Sequence, residues 1–423
     1  MTRTRVLVWG GYALALLLAP LLLDSGLAHT LLAQVGIAII GCLAYNVLLG
    51  QGGMLSFGHA VYSGLGSFLT IRTLELVAAG EVGLPVSLLP LVGGLAGLSS
   101  AAVLGWLCTR HAGTPFAMVT LGLGELVWSL ALMLPETFGG EGGISANRVV
   151  GEPVAGISFG PQIELYYLIA IYCGVCTALL YAFTGTPLAR LLEAVRDNAE
   201  RVACIGYDPR QVRHVAFMIS GFFMGVAGGL SALNFEIATV EMLGTLRSGA
   251  YPLFTVLGGS TVFFGPIIGA VLMVVAGVLL SVWSRAWMLY LGLVFVVMVM
   301  RAPGGVAGLL LANGRMLARG RLRCLLRPYA VLLAAALPAL LGLVLLVEMT
   351  YHLQADVLAG PTMSFFGLVV RPRQPLPWAA AVGLLALGLV LLRRAVPDFA
   401  RAWRDVQAQI ANRQQPTAPG AVP

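Results

Sequence analysis

Glu125 and His59 stand inside apolar runs, in LGLGELVWSL and LSFGHAVYSG. A carboxylate at the centre of a bilayer costs at least about 2.5 kcal/mol, so Glu125 must face a helix bundle or a wet cavity. There it can line a solute path, hold a conformational hydrogen bond or relay a proton. Protonated and bonded to nearby backbone, it would instead be a structural brace. His59 has the same two kinds of reading, and an isolated imidazole in such a segment more often packs than binds. Asn46, Gln51 and Ser56 are uncharged polar groups around the same place, suited to orienting a small solute. Gly52, Gly53, Gly58, Gly64 and Gly66 either allow close helix packing or break the backbone. A break would free N–H and C=O groups for a zwitterion. Gly258, Gly259, Gly265, Pro266 and Gly269 are a matching candidate break further on.

Other chemistries are poorly supported. Neither H-E-x-x-H, G-x-S-x-G nor an acidic calcium loop is present, so no catalytic or metal residue is assigned. Cys173 and Cys176 form C-x-x-C, but inside YYLIAIYCGVCTALLYAF and without a second pair or a nearby His. All 25 basic residues besides histidine are arginine. Without lysine a Walker A loop cannot be written, so ATP hydrolysis would have to sit on another chain. The formal charge of +7 comes with no nucleic-acid-binding motif, and nucleic acid is not an expected partner.

The elements that position these residues are set by hydropathy. Of 423 residues, 59% are hydrophobic and 10% charged, with a mean hydropathy of +0.91. Soluble domains carry about 25% charge, and a span needs about 20 apolar residues. The expected fold is all-α, a polytopic inner-membrane helical bundle with about ten core segments and two extra C-terminal spans. Candidate spans fall at 6–23, 31–49, 54–71, 84–108, 116–134, 163–183, 214–233, 249–264, 266–283, 286–300, 328–348 and 376–394. Those at 54–71, 249–264 and 286–300 are short or glycine-interrupted, as broken or re-entrant segments are. The N-terminal apolar stretch lacks a convincing small-x-small cleavage site and reads as a retained helix.

Arginines cluster at residues 3–5, 110, 190–213, 301–327 and 393–404. With the N-terminus inside, every cluster is cytoplasmic, and so is the C-terminus. The opposite loop, around PETFGGEGGISANRVVGEPVAGISFGPQIE, carries the single Arg148. The expected division is a core over 1–311, a basic linker with two helices over 312–394, and a polar, disordered tail over 395–423.

One segment breaks the apolar pattern: LLEAVRDNAERVACIGYDPRQVRH, residues 191–214. Thr186 is a fitting N-cap and Pro187 a fitting first residue. Leu188, Leu191, Leu192, Val195, Ala199 and Val202 form one stripe, opposite Arg196–Glu200 and Asp197–Arg201 pairs. An amphipathic helix over 188–205, stopped by Gly206 and Pro209, is expected. Its mixed charge argues against a helix resting on lipid, and its length against a plain connector. A docking helix fits better, with its charged face offered to a partner.

The stretch GTPLARLLEAVRDNAERVACIGYDPRQVRHVAFMISGFFMGVAGGLSAL resembles the E-A-A-type coupling loop of branched-chain amino-acid ABC-transporter permeases. YNVLLGQGGMLSFGHAVYSGLGSF, TPFAMVTLGLGELVWSL with GGEGGI, and LGGSTVFFGPIIGAVL resemble further stretches of that family, in family order, and APGGVAGLL closes the match at about residue 311. The AMVTLGLGE wording is similar to the M-type subunit. The resemblance implies an importer for branched-chain or related small amino acids or amides in a bacterial inner membrane. Its partners would be two ABC ATPase subunits holding ATP and magnesium, a second permease subunit or a copy of this one, and a periplasmic binding protein. In that family Glu193, Ala194, Arg196, Asp197, Glu200, Arg201 and Gly206 would meet an ATPase subunit. Asn46, Gln51, Ser56, His59, Gly64, Gly66 and Glu125 would lie along the solute path. Residues 312–423 have no counterpart in the usual permease. The rival reading is a secondary transporter in which Glu125 couples uptake to protons.

Overall fold

The structure, a computed structural model, describes residues 3–22, 25–150, 158–318, 322–355, 362–365 and 368–412. It is a helical bundle. In chain order the helices are α1 (Arg3–Leu22), α2 (Gly26–Asn46), α3 (Ala60–Ala78), α4 (Leu89–Cys108), α5 (Thr114–Met133), α6 (Pro135–Phe138), α7 (Gln162–Thr184), α8 (Pro187–Asp197), α9 (Ala199–Cys204), α10 (Pro209–Phe235), α11 (Thr245–Gly258), α12 (Gly265–Val275), α13 (Ser281–Trp283), α14 (Trp287–Arg301), α15 (Gly305–Ala318), α16 (Leu322–Ala355) and α17 (Pro375–Asn412). A two-residue strand pair joins β1 (Ile144–Ser145) to β2 (Ile237–Ala238), antiparallel. A second pair joins β3 (Met363–Phe365) to β4 (Leu368–Val370).

Eight helices among the described residues are long and apolar enough to cross a membrane, or nine if α14 and α15 make one bent span. This corrects the twelve spans expected from hydropathy. Residues 54–59 of the expected third span are not helical, and α3 starts only at Ala60. The expected eighth span is α11, only 14 residues long and ended by Gly259 at φ +114°. Hydropathy averages over a window and cannot see the turn that divides a greasy stretch.

Chain contacts divide the protein into two units. The first is Met1–Leu279 with Val294–Gly308; the second is Leu280–Leu293 with Leu309–Pro423. The boundary differs from the expected one at residue 311, because Leu280–Leu293 groups with the C-terminal addition.

In the first unit α3, α4 and α10 form the tightest packing. Contacts between α3 and α10 advance together, from His59 with Ser220 to Ser67 with Gly228, so the two run parallel. Those of α4 run the other way, Gly93 near Gly229 and Gly105 near Phe217. Lipid tails give apolar side chains no reason to cluster, so small residues that let backbones approach drive such crossings. A Cβ at Gly66 would stand 2.5 Å from the Gly225 carbonyl oxygen, and one at Gly93 2.8 Å from the same atom. In the second unit, long α16 packs along α17. Glu348 accepts hydrogen bonds from the Ser284 hydroxyl and the Tyr290 hydroxyl. Residues 395–412, expected to be disordered, continue α17 as helix. The rest of the expected tail, 413–423, lies outside the described residues.

Candidate functional site

The charged segment forms two helices rather than one. Thr186 caps α8, its hydroxyl accepting from the Ala189 N–H at 3.3 Å, and Pro187 opens the helix. At Asn198 the backbone turns extended, with φ −160°, and its side chain accepts from the Arg201 N–H at 2.9 Å to start α9. A short polar side chain that bonds its own backbone competes with helix continuation, and this divides the expected 188–205 helix. Gly206 adopts φ +93° and Asp208 caps α10. Ala189, Leu192, Val195 and Val202 are buried, while Glu193, Ala194, Arg196, Asp197, Glu200, Arg201 and Gly206 are exposed.

Arg196 also turns inward. Its Nη1 donates to the Gly50 carbonyl oxygen at 2.6 Å, and its stem packs over Gly53, which has φ +61°. Gly50 lies in the π-helical turn Val47–Gln51 that ends α2. Such a turn shifts the backbone bonding register and leaves a carbonyl for a side chain to take. A Cβ at Gly52 would meet Leu192 Cδ1 at 3.3 Å. The charged segment therefore grips the end of α2.

Beyond that turn the chain is non-helical from Gly53 to Gly58 and then leads into α3. Tyr45 holds it: its hydroxyl donates to the Ser56 carbonyl at 2.9 Å and accepts from the Ser56 N–H at 3.0 Å. Thr120 of α5 accepts from the Phe57 N–H at 3.2 Å. His59 is fully buried, with Nε2 2.8 Å from Ser220 Oγ. The Ser220 hydroxyl donates its one proton to the Ala44 carbonyl at 2.6 Å. His59 Nε2 must therefore carry the hydrogen and donate it to Ser220, leaving Nδ1 as a bare acceptor. The rings of Tyr45, Tyr62 and Phe217 surround this imidazole edge-on.

Asn46, Gln51 and Ser56 are buried as well. Asn46 Oδ1, Gln51 Oε1, Ser56 Oγ and His59 Nδ1 have no hydrogen-bond partner. Around the end of α2 the structure thus gathers four polar atoms that lack partners. Gly64 and Gly66 do not open onto a cleft; Leu243 covers the first and the α10 backbone covers the second. In the second half, Gly258 packs on Gly269, and a Cβ at Gly258 would meet the Gly269 nitrogen at 2.6 Å. Gly265 and Pro266 are buried at the start of α12.

Glu125 is placed apart from this cluster. On α5 the side of Phe116, Ala117, Thr120, Gly124 and Ala131 is buried, and Glu125 lies on the exposed side with Met118, Gly122, Ser129 and Met133. It makes no hydrogen bond or ion pair to any described residue. Two arginines, by contrast, were not among the site residues expected from the sequence. Arg148, only 11% exposed, has Nε donating to Phe159 O at 2.8 Å, Nη1 to Leu233 O at 3.3 Å, and Nη2 to Gly160 O at 3.0 Å and Gln162 Oε1 at 3.2 Å. Glu236, in left-handed backbone at φ +57°, accepts from the Arg148 N–H at 3.1 Å. Arg247, half-buried on α11, is the other; its standing alone in LGTLRSGAYPLF was the available signal.

Residues 27–302 match the family described as branched-chain amino acid transport system, permease component. The chain is 29% identical over 292 residues to the high-affinity branched-chain amino acid transport system permease protein LivM of Escherichia coli (strain K12), covering 64% of this chain and 67% of that one. It is 30% identical over 294 residues to the protein of the same name from Salmonella typhimurium (strain LT2), with the same coverage. No solved structure matches.

Proposed function

This chain belongs to the family of permease components of branched-chain amino acid transport systems, and we propose that it couples ATP hydrolysis on separate subunits to solute import. One of two ATPase subunits docks on α8 and α9, and the pair holds the ATP and magnesium. A second permease subunit, homologous or identical, covers the exposed side of α5. A periplasmic binding protein delivers a branched-chain or related small amino acid to the opposite end. Both termini then lie on the ATPase side, in a bacterial inner membrane.

The observation that carries this reading is the division of labour on α8. Its apolar side, Ala189, Leu192 and Val195, is sealed against the bundle, while Glu193 and Asp197 stay exposed. A helix so anchored transmits force without detaching. Movement of α8 passes through Arg196 and Leu192 to the π-turn of α2, and from there along residues 52–58 to the base of α3. The unpartnered polar atoms around that turn gain partners as it shifts.

The test is co-purification and uptake. Glu193→Arg combined with Asp197→Arg should abolish recovery of the ATPase subunits while membrane insertion persists. Unchanged recovery would refute docking at α8. Uptake by this chain alone, driven by a proton gradient and indifferent to ATP, would replace the reading with secondary transport through Glu125.

A further inference from the structure

We infer that Arg247 and Ser231 form a subsite for a carboxylate group, the recognition point for the α-carboxylate of an amino-acid solute; the inference rests on the transport reading above. A small cleft in the first unit is lined by Ser63 and Ser67 of α3, Ser231 of α10, and Arg247 and Tyr251 of α11. Three hydroxyls, a phenol and a guanidinium thus converge inside an apolar bundle.

Two of these groups lack partners. Ser231 is 3% exposed and its Oγ makes no hydrogen bond. Arg247 makes no hydrogen bond or ion pair to any described residue. Ser63 and Ser67 donate to the carbonyls of Ala60 and Gly228, at 2.9 and 2.8 Å, which leaves their oxygens as acceptors. An unpaired guanidinium within a membrane protein is costly, and such a group marks a path or a partner. Arg offers a planar fork of donors that matches a carboxylate in two parallel bonds. A free Ser231 hydroxyl adds a third donor. No carboxylate of a described residue takes that place.

The geometry also limits what enters. As it stands, the cleft has room for one water molecule at most. Entry of a carboxylate group therefore requires Arg247 to move. The remainder of the solute would rest outside, where α11 presents Leu246 and the small residues Gly249 and Ala250. A Cβ at Gly249 would meet nothing within 4 Å, so that surface is open.

The test uses the complete importer in proteoliposomes with radiolabelled leucine as probe. Arg247→Gln should lower ATP-driven leucine uptake at least tenfold, while hydrolysis stimulated by the loaded binding protein stays within twofold. Arg247→Lys, which keeps the charge but loses the fork, should recover part of the uptake. Ser231→Ala should lower it by about threefold. Uptake by Arg247→Gln within twofold of the parent would overturn the inference. So would equal loss of uptake and hydrolysis in the Gln and Lys variants, since that marks a structural strut. Failure of the unaltered assembly to accumulate leucine with ATP would instead overturn the transport reading itself.

Discussion

Arg196 on α8 donates from Nη1 to the carbonyl oxygen of Gly50, 2.6 Å away and 146 residues earlier in the chain. A residue from the segment expected to face a partner is thereby tied to the turn beside Asn46 and Gln51. Docking and coupling can therefore be separated by mutation, because neighbouring side chains on one helix point to different tasks.

Arg196→Gln should leave ATPase recovery intact and lower solute uptake per ATP hydrolysed by about tenfold. The Gly50 carbonyl loses a charge-assisted hydrogen bond, a contribution of about 1.5–3 kcal/mol. Parallel measurement of hydrolysis and uptake in proteoliposomes checks it; equal loss of both would mean that Arg196 serves docking alone.

The exposed side of α5 should be a subunit interface or line the path between subunits. Gly122→Cys and Ser129→Cys flank Glu125 on that side and should cross-link to the second permease subunit under oxidising conditions. Labelling by lipid-soluble thiol reagents, without any cross-link in the assembled complex, would contradict this placement. Glu125→Leu should be tolerated in the isolated chain, where Glu125 has no partner among the described residues, and should impair uptake in the complex.

Arg148 holds the segment between α5 and α7 to the end of α10. Arg148→Ala leaves the carbonyls of Phe159, Gly160 and Leu233 without that donor. A loss of roughly 2–4 kcal/mol is expected, because several charge-assisted bonds disappear together. Limited proteolysis between residues 139 and 162 should speed up, and Arg148→Lys should rescue little, since an ammonium cannot span the same acceptors. An unchanged cleavage pattern would show that the loop is held by other contacts.

Gly66→Leu should be worse than Gly122→Leu. At Gly66 the new side chain meets the backbone of Gly225, which cannot move aside, whereas Gly122 has nothing within 4 Å. Overpacking costs about 1–3 kcal/mol or more, so the Gly66 variant should lower the thermal unfolding midpoint by several degrees. Unfolding curves in detergent, compared in the isolated chain, decide the point.

Membrane class, helical content and family could be read from the chain alone, and so could the capped, amphipathic segment after Thr186. Hydropathy adds up locally, and caps and stripes involve residues within a few positions of each other. Family motifs are likewise contiguous wording. The helix break at Asn198 was also local, yet an uninterrupted apolar stripe hid it.

What only the tertiary structure decided is where each polar group points and what meets it. His59 finds Ser220 161 positions away, Arg196 finds Gly50, and Arg148 reaches Leu233 and Glu236 across 85 and 88 positions. Glu125, the most conspicuous charge in the sequence, has no partner among the described residues, while Arg247, unnoticed there, lines the same small cleft as an unsatisfied hydroxyl. The physical reason is that a hydrogen bond needs an angle and about 3 Å. Those are set by how distant helices cross, and no window along the sequence contains that crossing.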